Sequence, residues 1–142
     1  MKRALYCILS ALLVTGCASP KYASDVQSVQ LVKSTTSWDG EPLPAYQPGA
    51  PEITILRITI PPGHTLPIHR HPFINAGVLI KGELTVTTDG GKVLHLKAYE
   101  PIVEVVGTWH YGRNEGVEPA EIIVFYAGQA GEPVTIKKPV NK

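Results

Sequence analysis

The chain has 142 residues, the length of one domain around one core. Charged side chains make up 18%, the formal net charge is +1 and no run of like charges occurs, so the electrostatic footprint of a nucleic-acid binder or a polybasic membrane patch is absent. Glycine and proline, 13 each, are unfavourable in helix interiors and suit short strands joined by tight turns, so the expected class is all-β.

The first stretch, MKRALYCILSALLVTGCAS, opens on Lys2 and Arg3, runs apolar from Ala4 to Val14 and reaches the small Gly16, the layout of a secretory signal peptide. The apolar run is shorter than the ~20 residues that a membrane-crossing helix needs. Val14-Thr15-Gly16-Cys17 resembles the bacterial lipobox, in which the peptidase cuts before the cysteine and the cysteine then carries lipid. The resemblance implies a signal peptide over residues 1–16, lipidation at Cys17 and a tether over residues 17–25; an ordinary signal peptide with an unrelated cysteine is the competing reading. Removal of residues 1–16 takes away Lys2, Arg3 and Cys7, leaving Cys17 as the only cysteine, so no disulfide forms even in an oxidising compartment. Several acyl chains hold a protein on a membrane durably where one is marginal. Ala18 in place of aspartate implies, on lipoprotein sorting rules, the outer membrane, with the domain facing the periplasm.

From residue 26 to 142 the pattern is that of a single unit without repeats. Val26 to Val32 alternates imperfectly but is rich in β-formers, and WDGEPLPAYQPGAP is a proline-punctuated loop. EITILRITI, residues 52–60, puts Thr54, Leu56, Ile58 and Ile60 on one apolar face. Strands are predicted over 74–80, 83–88, 92–97, 101–106, 109–113, 121–127 and 134–137, with a hairpin turn at Asp89-Gly90. Eight or nine short strands without an amphipathic helix argue for a sandwich or barrel, with a jelly roll the natural candidate.

His69 and His71 are two apart, so on an extended segment both imidazoles point to the same side and can grip one ion. VGTWHYGRN supplies His110 from a separate strand behind a glycine turn. Three neutral imidazoles leave positions open on a divalent ion for water or substrate. His64 in a proline-rich turn and His95, which shares a face with Val93 and Lys97, read as surface residues.

Gly63, His69, His71, then Asn75, then Gly82 match the spacing of the first cupin motif, and Gly107, His110 and Asn114 match the second. The chain from Glu52 to Ala127 thus resembles a small cupin, which implies a single jelly-roll barrel and a divalent metal ion held by His69, His71 and His110. Asn75 stands where the family has a glutamate and would offer the ion a neutral, weaker oxygen as a fourth contact, or else orient a ligand. Such a site resembles the three-histidine centres of thiol and diketone dioxygenases. The resemblance leaves the metal open among iron, manganese, zinc, nickel and copper, and it implies self-association as a homodimer. The motif proline before the second glycine is Val105 here. Asn114 reads as a turn-fixing side chain, and Glu104, just before the glycine turn, as a general base beside a metal-bound water. The functional expectation is a metal-dependent enzyme acting on a small molecule by oxygenation, lyase or isomerase chemistry. The alternative is a non-catalytic module that captures a metal or small ligand at the cell envelope.

Overall fold

A computed structural model describes residues 25–139. Cys17, the expected lipid-bearing residue, lies outside the described residues, as does the segment that resembles a signal peptide. Nine strands and no helix occur among the described residues: β1 (Pro51–Ile60), β2 (His69–Arg70), β3 (Asn75–Lys81), β4 (Glu83–Thr88), β5 (Val93–Lys97), β6 (Pro101–Val103), β7 (His110–Arg113), β8 (Ala120–Gln129) and β9 (Ile136–Lys137). They form two sheets, of order β1-β8-β3-β6 and β5-β4-β7-β2-β9, with every pair between strands antiparallel. This is the all-β jelly-roll arrangement expected from the sequence, although the ladders do not close the two sheets into one continuous hydrogen-bonded barrel.

Alternation decides which side chains meet between the sheets. On β8, Ala120, Ile122, Val124 and Tyr126 are buried while Ile123 and Phe125 are exposed, so even-numbered positions face inward. Ile60, Leu79, Leu84, Val86, Leu96 and Ile102 join them in one core cluster, and Ile58, Leu66 and Trp38 pack against it. Each fully buried aliphatic side chain of this kind contributes roughly 1.5–3 kcal/mol.

Two expectations are altered. Val26 to Val32 forms no strand and is exposed along its length, because β-forming residues become a strand only where a ladder partner is available. The predicted strands over 101–106 and 134–137 shorten to β6 and β9. The sequence pattern also omitted β2, whose two residues are too few to display alternation.

Candidate metal centre

The three histidines reach one point by different routes. In the ladder between β2 and β7, His69 lies directly opposite His110, so the two rings leave neighbouring strands toward the same face. His71, two residues past His69, forms a parallel bridge to Val106, and its carbonyl accepts the Gly107 backbone N–H at 2.8 Å. Gly107 holds φ at +73°, a conformation that non-glycine residues adopt at a cost, and the turn it makes carries the chain from the His71 bridge into β7. The ring centroids lie 4.4 Å (His69 and His110), 4.9 Å (His69 and His71) and 5.0 Å (His71 and His110) apart. One nitrogen from each ring falls within 4.8 Å of the others.

The hydrogen bonds behind the rings decide which nitrogens those are. Nδ1 of His69 is 2.8 Å from the Pro67 carbonyl, Nδ1 of His71 2.9 Å from the Val134 carbonyl and Nδ1 of His110 2.9 Å from the Thr108 carbonyl. A carbonyl only accepts, so each Nδ1 carries the proton and each Nε2 is left with a lone pair. Metal-binding histidines are held in this way, the carbonyl setting both tautomer and ring angle. Burial keeps the rings neutral: desolvation pushes His71 and His110 down to about 4 and lowers His69 as well, against the opposing pull of the same carbonyl bonds. Nε2 of His110 is buried without any hydrogen-bond partner. A neutral nitrogen base so placed fits a cation, and the three histidines are therefore positioned to bind a metal ion.

Glu104 is inward-facing and 8% exposed, with Oε2 unpartnered and 3.7 Å from Nε2 of His110. Burial pushes its carboxyl up to about 7. Between that value and the depressed one of His110 both groups are neutral, so the contact is not an ion pair at mildly acid pH. The direction of Glu104, uncertain from a strand that approaches a glycine turn, follows from its backbone N–H, which donates to the Asn75 carbonyl at 3.0 Å and extends the β3 ladder one residue past β6.

Asn75 is 1% exposed; its amide nitrogen donates to the Phe73 carbonyl at 3.1 Å, and its amide oxygen has no partner. It occupies the middle of a rung, facing Tyr126 on β8 and Glu104 on the other side. Those two longer side chains line the cavity in front of the histidines, and Asn75 does not. The cavity measures about 40 Å³ and is otherwise walled by Ile58, Ile60, Leu66, Leu84, Val86, Gly112, Ile122 and Val124. Tyr126 escaped the sequence reading, although its even position behind Ile122 and Val124 marks it as inward-facing. Its ring centroid lies 5.3 Å from that of His71. A larger surface cleft of about 240 Å³ beside Tyr46 and Ile53 has no histidine or acidic side chain in its lining.

The remaining candidates take structural or surface positions. Asn114 is fully buried and fixes a turn, donating to the Ile60 and Glu118 carbonyls at 2.9 and 2.7 Å and accepting the Gly116 N–H at 2.9 Å. His64 and His95 are exposed. Trp109, next to His110 in the chain, is partly buried and stacked under Arg70, whose guanidinium carbon lies 5.0 Å from the ring centroid.

The cupin domain family matches residues 56–126, half of the 142 residues, and the match includes all three histidines. The chain belongs to the cupin family. Solved cupin-like structures resemble it over part of their length. An oxalate oxidase bound to the substrate analogue glycolate is 29% identical over 60% of this chain and 45% of its own, with a TM-score of 0.51. An uncharacterized conserved protein with a double-stranded β-helix domain from Klebsiella pneumoniae is 22% identical over 68% and 81% respectively, TM-score 0.51. A DMSP lyase from Ruegeria pomeroyi is 19% identical over 60% and 42%, TM-score 0.53. This cupin chain thus spans less than half of the oxalate oxidase it resembles. Among curated proteins no match is found.

Proposed function

We propose that this cupin is a metal-dependent enzyme acting on a molecule of a few heavy atoms, with His69, His71 and His110 as the metal ligands. The observation that carries the reading is the convergence of three neutral Nε2 lone pairs on a small, mostly apolar cavity. A divalent ion held there would polarise a bound oxygen and, if redox-active, support oxygen chemistry. Glu104 would hold or accept a proton beside His110, and a carboxyl pushed up to about 7 is suited to exchanging protons near neutrality. The cavity has room for roughly three water-sized spheres, at the ~10–15 Å³ each requires. No Lys, Arg, Ser or Thr lines it, which favours a small carboxylate or carbonyl compound over a sugar. The oxidase, decarboxylase and lyase names among the structural neighbours are compatible with this class of chemistry.

The decisive experiment is elemental analysis of protein purified without added ions, for the native chain and for Ala substitutions at His69, His71 and His110. Each substitution is expected to strip most of the metal; unchanged content in all three would sink the proposal. Oxygen uptake and product formation from a panel of small carboxylates then separate the enzyme from a capture module, which saturates without turnover. The lipobox resemblance supports placing the domain at the envelope membrane through Cys17, and Cys17→Ala is expected to release it into the soluble fraction.

A further inference from the structure

The cavity has an imbalance of hydrogen-bonding groups. The three Nε2 atoms present lone pairs, because their Nδ1 protons are committed to the Pro67, Val134 and Thr108 carbonyls. Glu104 only accepts while it is ionised and donates once protonated, so above about 7 it adds no donor. Among the residues that line the cavity, the remaining polar side-chain group is the phenol of Tyr126, buried to 2% exposure.

We propose that the Tyr126 hydroxyl is the hydrogen-bond donor to the ligand of this site and that Thr135 is the positioning residue that aims it. Small ligands that coordinate the ion through one atom and present a second acceptor atom to Tyr126 are then preferred: a carboxylate, a carbonyl compound or a triatomic anion. The proposal rests on the metal-site reading above and adds a residue and a selectivity to it.

Geometry supports both roles. Tyr126 sits on the same rung as Asn75, with Glu104 on the far side, and it lines the space before the histidines with its ring centroid 5.3 Å from that of His71. Thr135 Oγ1 lies 3.3 Å from Nδ1 of His71, a nitrogen whose proton already goes to Val134 at 2.9 Å. The threonine hydroxyl is thereby an acceptor toward His71 and keeps its own proton for a bond to the neighbouring Tyr126 side chain. If Thr135 donates in that bond, the phenolic proton remains free to point into the cavity.

The test uses protein loaded with cobalt and titrated with azide, followed through the visible cobalt bands. Tyr126→Phe keeps the ring and removes the donor, so cobalt stoichiometry is expected to stay the same while azide affinity falls about fivefold to tenfold. Thr135→Val is expected to weaken azide severalfold, and Thr135→Ser to restore it; that pair tests the proposal even if Tyr126→Phe does not fold. Azide affinity equal to that of the native protein in both Tyr126→Phe and Thr135→Val, or no azide binding by any form, overturns the donor role while leaving the metal centre standing. A native protein that takes up no cobalt overturns both, and this shows before azide is added.

Discussion

An imidazole binds a metal only through a nitrogen without its proton, so the carbonyls behind the rings matter as much as the rings. Those of Pro67 and Thr108 lie two residues before the histidines they hold, a local contact that the chain makes as it enters β2 and β7, whereas the Val134 carbonyl arrives from 63 residues away. His71 therefore depends on the chain just before β9 for its orientation, and the other two do not. The same scale separates Asn75 from Glu104. Register by motif spacing puts the fourth contact at Asn75, yet the lining of the cavity before the histidines holds Glu104 and Tyr126 and omits Asn75. Asn75→Ala is accordingly expected to leave the metal content of the purified protein unchanged and to lower stability by about 1–3 kcal/mol through the lost bond and the space left behind. Elemental analysis alongside urea unfolding checks it, and a loss of metal would restore Asn75 as a ligand.

At the level of elements, the strands were legible wherever a ladder is long enough for alternation to repeat, as in β1, β3, β4 and β8. His69 and His110 were legible as partners because a two-residue spacing and a second motif both point inward. Glu104 was named as a candidate base, but its direction was not legible, since burial alternates up to it and then fails at Val105, also buried, before the Gly107 turn. Tyr126 was missed because an aromatic residue at an inward position reads as core filling until the cavity in front of it is seen. The connections carry stability too. Gly82 joins β3 to β4 with φ at +73°, and a Cβ there would meet the Pro119 carbonyl at 2.9 Å. Asn114 closes the turn after β7 with three backbone bonds and no exposure. Asn114→Ala leaves the buried Ile60 carbonyl, the Glu118 carbonyl and the Gly116 N–H without that partner, and a loss of about 2–3 kcal/mol is expected from urea unfolding. Gly82→Ala adds left-handed strain to a backbone clash and is expected to lose at least ~1–2 kcal/mol.

For the whole molecule, the histidine cluster with Glu104 is an ionisation load that the fold carries in opposite directions. Free of metal, His71 and His110 titrate near 4 in the folded chain against 6.5 unfolded, while Glu104 titrates near 7 against 4.5. Between pH 4.5 and 6.5 the unfolded chain therefore binds two more protons on the imidazoles and one fewer on the carboxylate, a net excess of one. Stability rises with pH wherever the unfolded state holds more protons, so in this window it is expected to fall by about 1.4 kcal/mol for each unit of acidification. His69, lowered by the same burial, adds to the loss in the same direction. Glu104→Gln removes the opposing carboxylate, so the slope should steepen toward twice that value, and urea unfolding in the presence of a chelator across the window measures both slopes. A bound ion must compete with protons for the same Nε2 lone pairs, so the stabilisation it adds should also weaken toward acid pH. A metal-free slope that stays flat, or that does not respond to Glu104→Gln, would show that water reaches these groups and that burial does not set their protonation.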